Sequence, residues 1–164
     1  MNEVTEMNSD GKQLYNELDS SNLPSQLVKT LEVLANLEDN WDYGTEFSER
    51  PNKAALKLAS SILKLLQNKN ILNHDVFIPY LAPGPDGQIE IQWPSLEVFC
   101  DIDVEENLVE IRWIENDSCL VSKTDSNLLS FKYDSYKFNQ CDIESLVSIL
   151  KQKLTKYGQH IKNE

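Results

Sequence analysis

Hydrophobic residues along this chain change their spacing twice, and the changes mark out its elements. From Pro24 to Leu37 apolar side chains recur at helical spacing: Leu27, Leu31 and Leu34 form a stripe that Val28 and Leu37 widen. The pattern predicts a helix there, with Asn22 as its cap and Pro24 in its first turn. A second helix is predicted over Pro51–Gln67, burying Ala54, Ala55, Leu58, Ile62, Leu65 and Leu66 and turning Lys53, Lys57 and Lys64 outward. A final helix is expected over Asp142–Tyr157, on a stripe of Ile143, Leu146, Val147, Leu150, Leu154 and Tyr157, with Asp142 as cap and Gly158 as stop.

Between the second and last helices the period falls to two. Val76–Pro83 reads as a strand with edge-type prolines, and Gly84–Gly87 ("GPDG") as a turn. Gln88–Trp93 alternates strictly, with Ile89, Ile91 and Trp93 on one face and Gln88, Glu90 and Gln92 on the other. Leu96–Val104 alternates as well, setting Glu97, Asp101 and Asp103 opposite Leu96, Val98, Cys100, Ile102 and Val104, with Phe99 breaking the rule. Leu108–Ile114 puts Val109, Ile111 and Trp113 on one side. Two shorter strands are expected near Ser118–Ser122 and Leu128–Tyr133. Short polar links between such runs make an antiparallel meander with one dry and one wet face.

The expected architecture is therefore α+β: two layers, a meander sheet of about five strands with helices packed on one face. Residues 23–158 form its single domain, between a flexible acidic N-terminal arm (1–22) and a C-terminal tail (159–164). Within the arm, Leu14, Tyr15 and Leu18 can make one helical turn that packs back on the domain. The outward sheet face would carry Glu90, Gln92, Glu97, Asp101, Asp103, Glu110 and Arg112.

Composition fits a globular chain: 164 residues, 40% hydrophobic and 26% charged. No apolar run approaches the roughly 20 residues of a membrane span. The polar start "MNEVTEMNSDGKQ" does not read as a secretory signal, so the expected compartment is the cytoplasm. Net charge sharpens the picture. It is −12, with 11 acids against 3 bases in residues 1–50 and 13 against 3 in residues 71–134. Such a surface repels phosphate backbones, which excludes direct nucleic-acid binding, and attracts basic partners.

Chemistry is sparse. Cys100, Cys119 and Cys141 are odd in number and lack C-x2-C spacing, so they read as reduced, small apolar residues. "DIDVEEN" (Asp101–Asn107) has the oxygen spacing of a calcium loop but lacks the glycine and glutamate such a loop needs. Its acids fit the wet side of a strand. His74 and His160 have no nucleophile motif beside them, and no phosphate-binding glycine motif occurs. No catalytic residue, metal site or cofactor is assigned, and an enzyme is the less favoured reading.

"LEDNWDYGTEFSERP" (Leu37–Pro51) stands apart. Asn40, Asp42 and Gly44 suit the end of one helix and a change of direction. Trp41 there is either an anchor plugging the gap between helices and sheet or, with Tyr43 and Phe47, a contact patch. As an anchor it would donate its indole N–H to a carboxylate such as Asp42 or Glu38. Together "NWDYG" (Asn40–Gly44), the proline-started helix "PNKAALKLA" (Pro51–Ala59) and "PGPDGQIEIQW" (Pro83–Trp93) resemble a group of small uncharacterised bacterial proteins. In that group an Asn-Trp-Asp-Gly-x-Gly corner precedes a similar helix, a Pro-Asp-Gly turn and a strand ending in tryptophan. The resemblance covers about Leu23–Trp113 and departs at Tyr43, where a glycine is usual. It implies an architecture and no mechanism.

The function expected from these features is a soluble acidic interaction protein, antitoxin-like or immunity-like, that engages a basic or amphipathic protein partner. Its contact residues would be Trp41, Asp42, Tyr43, Phe47, Glu90, Glu97, Asp101 and Asp103. The alternative is a small-ligand-binding protein or enzyme with a pocket near Trp41, Trp93 and Trp113. A homodimer through a sheet edge is a third reading.

Overall fold

The computed structural model describes residues 9–18, 20–42, 47–115 and 130–161. Among these residues, four α-helices and five strands follow in the order α1 (Ser9–Glu17), α2 (Ser25–Ala35), α3 (Lys53–Asn68), β1 (Tyr80–Pro83), β2 (Ile89–Trp93), β3 (Val98–Asp103), β4 (Leu108–Glu115), β5 (Ser130–Lys137) and α4 (Ile143–Ile161). The strands form one antiparallel sheet in the order β1-β2-β3-β4-β5. This is the α+β meander that the alternating runs predict.

Strict alternation puts Leu81, Ile89, Ile91, Trp93, Val98, Cys100, Ile102, Val109, Ile111 and Trp113 on one sheet face, all buried. The helices cover that face. α3 lies at its centre, touching β2 and β3, with Ala55, Leu56, Ala59, Ile62, Leu63 and Leu66 wholly removed from solvent. α4 packs along α3 through Leu146, Val147, Leu150 and Leu154, and α2 reaches β1. At about 25 cal/mol per Å² of apolar area, this shared dry interface is the main source of stability. The N-terminal residues contribute to it as well. α1 packs on α2, Leu14 and Leu18 are buried, and Glu17 pairs with Lys57 of α3 at 2.7 Å.

Several details depart from the sequence reading. Asn22 does not cap α2: it adopts a left-handed conformation (φ 65°), and Pro24 occupies the cap position without a side-chain bond. α3 begins two residues after Pro51, because Asn52 caps it, its Oδ1 accepting from the N–H groups of Ala54 (2.9 Å) and Ala55 (3.3 Å). Residues 75–77 coil into a 3-10 turn, so the first strand is only Tyr80–Pro83. Another 3-10 turn, Pro94–Leu96, and a left-handed Glu97 (φ 56°) precede β3, which shortens the expected strand and removes Glu97 from its face. α4 continues through Gly158 to Ile161, since one glycine in a long helix costs only about 1 kcal/mol. The strand expected at Ser118–Ser122 lies outside the described residues. β5 is longer than expected and is placed by pairing with β4, not by burial: Lys132 and Asp134 are exposed on one side, Phe131 and Tyr133 on the other.

Candidate functional site

The described helices pack on one sheet face only, and the strand register arranges the side chains of the other in rows. One row runs Tyr80, Gln92, Phe99, Arg112, Tyr133 from β1 to β5. The next runs Ala82, Glu90, Asp101, Glu110, Ser135. A third places Asp103 opposite Leu108, which faces Lys137. Cross-strand neighbours stand only about 5 Å apart, so three carboxyl groups in one row repel each other unless something intervenes.

Arg112 intervenes. Its Nη2 lies 2.8 Å from Glu90 Oε2 and 2.9 Å from Asp101 Oδ2, and its Nε stands 3.7 Å from Glu110 Oε1. The last separation makes an ion pair but no hydrogen bond, and the buried Nε has no hydrogen-bonding acceptor. The guanidinium rests over Phe99, 5.4 Å from the ring centroid. That contact accounts for Phe99, the residue that breaks the alternation of its strand: it forms the floor under the arginine.

One arginine does not neutralise three carboxylates, and the row responds by holding a proton. Burial, the hydrogen bond to Glu90 and the Glu90 charge push the Asp101 carboxyl up to about 7, against the pull of Arg112. Burial alone would raise Glu90 too. Hydrogen bonds from Asp101 and Gln92, together with Arg112, outweigh it and keep Glu90 below its ordinary value. The pair thus shares one proton, carried by Asp101. Ser135 Oγ donates to Glu110 at 3.4 Å, and Gln88 Nε2 donates to Asp103 at 3.3 Å. Glu90, Asp101, Asp103 and Glu110 line an open hollow of about 390 Å³, whose rim is Ala82, Pro83, Gly84 and Pro85.

The structure therefore brings together Glu90, Asp101 and Asp103 of the expected contact residues. It adds Arg112 and Glu110, which the alternation places on this face but whose pairing only the register reveals. Glu97 lies apart, exposed on its turn. In the corner, Trp41 is half-buried. It donates its indole N–H not to a carboxylate but to the Glu49 carbonyl, at 2.7 Å, because the chain folds back so that the Asn40 N–H also reaches the Ser48 carbonyl. The Asp42 N–H donates to Ser48 Oγ (3.1 Å), Phe47 is 82% exposed, and Tyr43 lies outside the described residues. A second hollow, about 580 Å³, opens beside this corner between Asp39, Glu49, Arg50, Asn52, Asp86 and Glu105.

The calcium-like spacing resolves into turn chemistry, since Asp103 Oδ1 accepts from the Glu106 N–H at 3.1 Å while Asn107 takes a left-handed φ of 52°. Among the described residues, no group of three or more His, Cys, Asp or Glu side chains is arranged to hold a metal ion. None of their helices is long and apolar enough to cross a membrane. Cys100 is fully buried and Cys141 half-buried, and burial pushes both thiols up, away from the reactive thiolate. No family model matches the chain, and searches of curated proteins and of solved structures return no match either.

Proposed function

We propose that this protein is an acidic binding module of the cytoplasm whose open sheet face takes up a basic or amphipathic protein partner, in the manner of an antitoxin-like or immunity-like inhibitor. The observation that carries the reading is a concentration of unlike features on the sheet face that no described helix packs against. Four carboxyl groups stand there against Arg112 and Lys137, and exposed Tyr80, Phe131 and Tyr133 surround them. An acidic patch bordered by aromatic rings suits a partner with cationic side chains on apolar stems. The chain's −12 charge would speed the encounter and make it salt-sensitive. The Trp41–Phe47 corner is a second contact point in this reading.

The test is recovery of a partner by tagged protein from its native cell at low and high salt, beside an Asp103→Lys/Glu110→Lys variant. The wild type should retain a partner at low salt, release it at high salt, and lose it in the variant. Failure to retain a partner at any ionic strength, or equal retention by the variant, overturns the proposal. If light scattering shows a stable homodimer that the same variant dissociates, the occupant of the face is a second copy instead.

A small-ligand or enzymatic reading draws on one observation, the Glu90–Asp101 pair with its displaced proton affinities, a feature of general acid–base catalysis. It does not draw on the tryptophans. Trp93 is packed in the core with its N–H on the Phe77 carbonyl (2.7 Å), and Trp113 is buried beneath Lys153. The hollow beside the pair is open, and among the described residues no histidine lines it. Both features favour a macromolecular contact.

A further inference from the structure

We infer that the sheet face is read by arginine: the partner lays a segment across it whose guanidinium groups enter the acidic row and stack on the tyrosines beside that row. The inference rests on the binding-module reading and narrows the partner's chemistry.

The molecule already shows how this face holds such a group. Arg112 lies over Phe99 at 5.4 Å, and one of its terminal nitrogens stands 2.8 and 2.9 Å from carboxyl oxygens on two neighbouring strands. Carboxyl groups spaced by strand pairing, next to an aromatic ring in the adjacent row, are therefore a working guanidinium seat. The same two rows offer further seats at their ends. Tyr80 and Tyr133 terminate the Arg112 row on the outermost strands and are 69% and 65% exposed. Tyr133 is the direct cross-strand neighbour of Arg112, and Ser135, two residues on, is that of Glu110. Tyr80 stands two residues from Ala82, the neighbour of Glu90. Each exposed ring thus has a carboxylate diagonally across from it, as Phe99 has Glu90, which Arg112 pairs with.

Charge agrees with this occupant. Among the described residues only Arg112 and Lys137 offset the acids of this face, and Lys137 is at the end of its strand, opposite Leu108. Arginine fits better than lysine for physical reasons. Its planar fork spans two carboxylates, it sheds water more easily than an ammonium, and it stacks on a ring while keeping its hydrogen bonds. An exposed stack of this type corresponds to about two- to fivefold in affinity per arginine.

The experiment uses two fluorescent decapeptides, one alternating arginine with serine and one alternating lysine with serine, titrated against the full chain at low salt. Anisotropy should show the arginine peptide binding several-fold more tightly. Tyr80→Ala and Tyr133→Ala, truncations of exposed rings, should shrink that preference. Glu110→Gln should weaken both peptides. Glu32→Gln and Glu144→Gln, exposed acids on α2 and α4, should leave both unchanged. Equal binding of the two peptides, lost equally in Glu110→Gln, overturns the arginine inference and leaves the basic-partner reading standing. Binding of neither peptide, or binding weakened only by the helix variants, overturns both.

Discussion

Arg112 and Phe99 face each other across the β3–β4 pair, guanidinium over ring, and that stack fixes the arginine where three carboxyl groups can reach it. Residues from three strands thus depend on a single cation. Replacing it with methionine keeps the apolar stem and removes the charge. The Arg112→Met variant should lose about 1–3 kcal/mol at pH 8. The loss should shrink at pH 5, where protons take over part of the cation's role. Urea denaturation at both pH values measures this. An equal loss at the two would mean that Arg112 serves only as packing.

Asp101 makes stability depend on pH in the direction opposite to most carboxylates. Its folded affinity for protons is raised, to about 7, above that of the unfolded chain. The folded state therefore binds more protons than the unfolded state from about pH 4 to 7. Its contribution is full below that window and is lost as pH rises through it. Glu90, held below its ordinary value, acts in the other sense: its contribution is lost as pH falls through its lowered folded value. Solvent screening at this part-exposed face reduces the Asp101 effect to about 1 kcal/mol. Asp101→Asn should be more stable than the wild type at pH 8 and nearly equal to it at pH 4. Thermal melts across this range would show the two curves converging on the acid side. Convergence on the alkaline side would contradict the assignment of the proton.

Two buried tryptophans should respond unequally to the same substitution. Trp93, 1% exposed, donates to the Phe77 carbonyl at 2.7 Å, while the buried Trp113 N–H has no acceptor. Trp93→Phe leaves a buried carbonyl unsatisfied and a small void, costing about 2–4 kcal/mol. Trp113→Phe removes an N–H that was already unpaired and should cost at least about 1 kcal/mol less. Chemical denaturation of the two variants compares them directly. Equal costs would show that the Trp93 hydrogen bond carries no weight.

The corner and the β1–β2 turn should behave as one unit. Gly87 has φ +80°, and a Cβ there would stand 3.2 Å from the Arg50 carbonyl, so Gly87→Ala should cost about 1–2 kcal/mol. Asn52→Ala removes the α3 cap, at about 1 kcal/mol. The Asn52 N–H donates to the Gly87 carbonyl at 2.9 Å, so the double variant should lose less than the sum of the two. Strict additivity in a double-mutant cycle would mean that the two sites are independent.

The sheet and its two faces were legible because a period of two is unambiguous once Ile89–Trp93 and Leu108–Ile114 are read together. β5 was legible only in part: Lys132 and Asp134 are exposed on the helix side, so burial never imposes an alternation on that strand. The early ends of strands at residues 75–77 and 94–96 were hidden for a different reason. Val76, Phe77 and Leu96 are apolar in a 3-10 turn as they would be in a strand. The acids of the face could be named from alternation. Their convergence on Arg112 could not, because it depends on which residue opposes which across three strands. The Trp41 acceptor was missed because a backbone carbonyl, unlike a carboxylate, leaves no mark in the sequence.

The "GPDG" turn is a wall common to both hollows. Gly84 and Pro85 form the lip of the acidic face, Asp86 and Gly87 line the recess at the corner, and the Glu49 N–H grips the Pro85 carbonyl at 2.7 Å. The lip is thus tied by backbone hydrogen bonds, through Glu49 and through Asn52 on the Gly87 carbonyl, to the cap of α3. A guest seated on the strands would be felt on the opposite side of the sheet, by the rod that anchors the core.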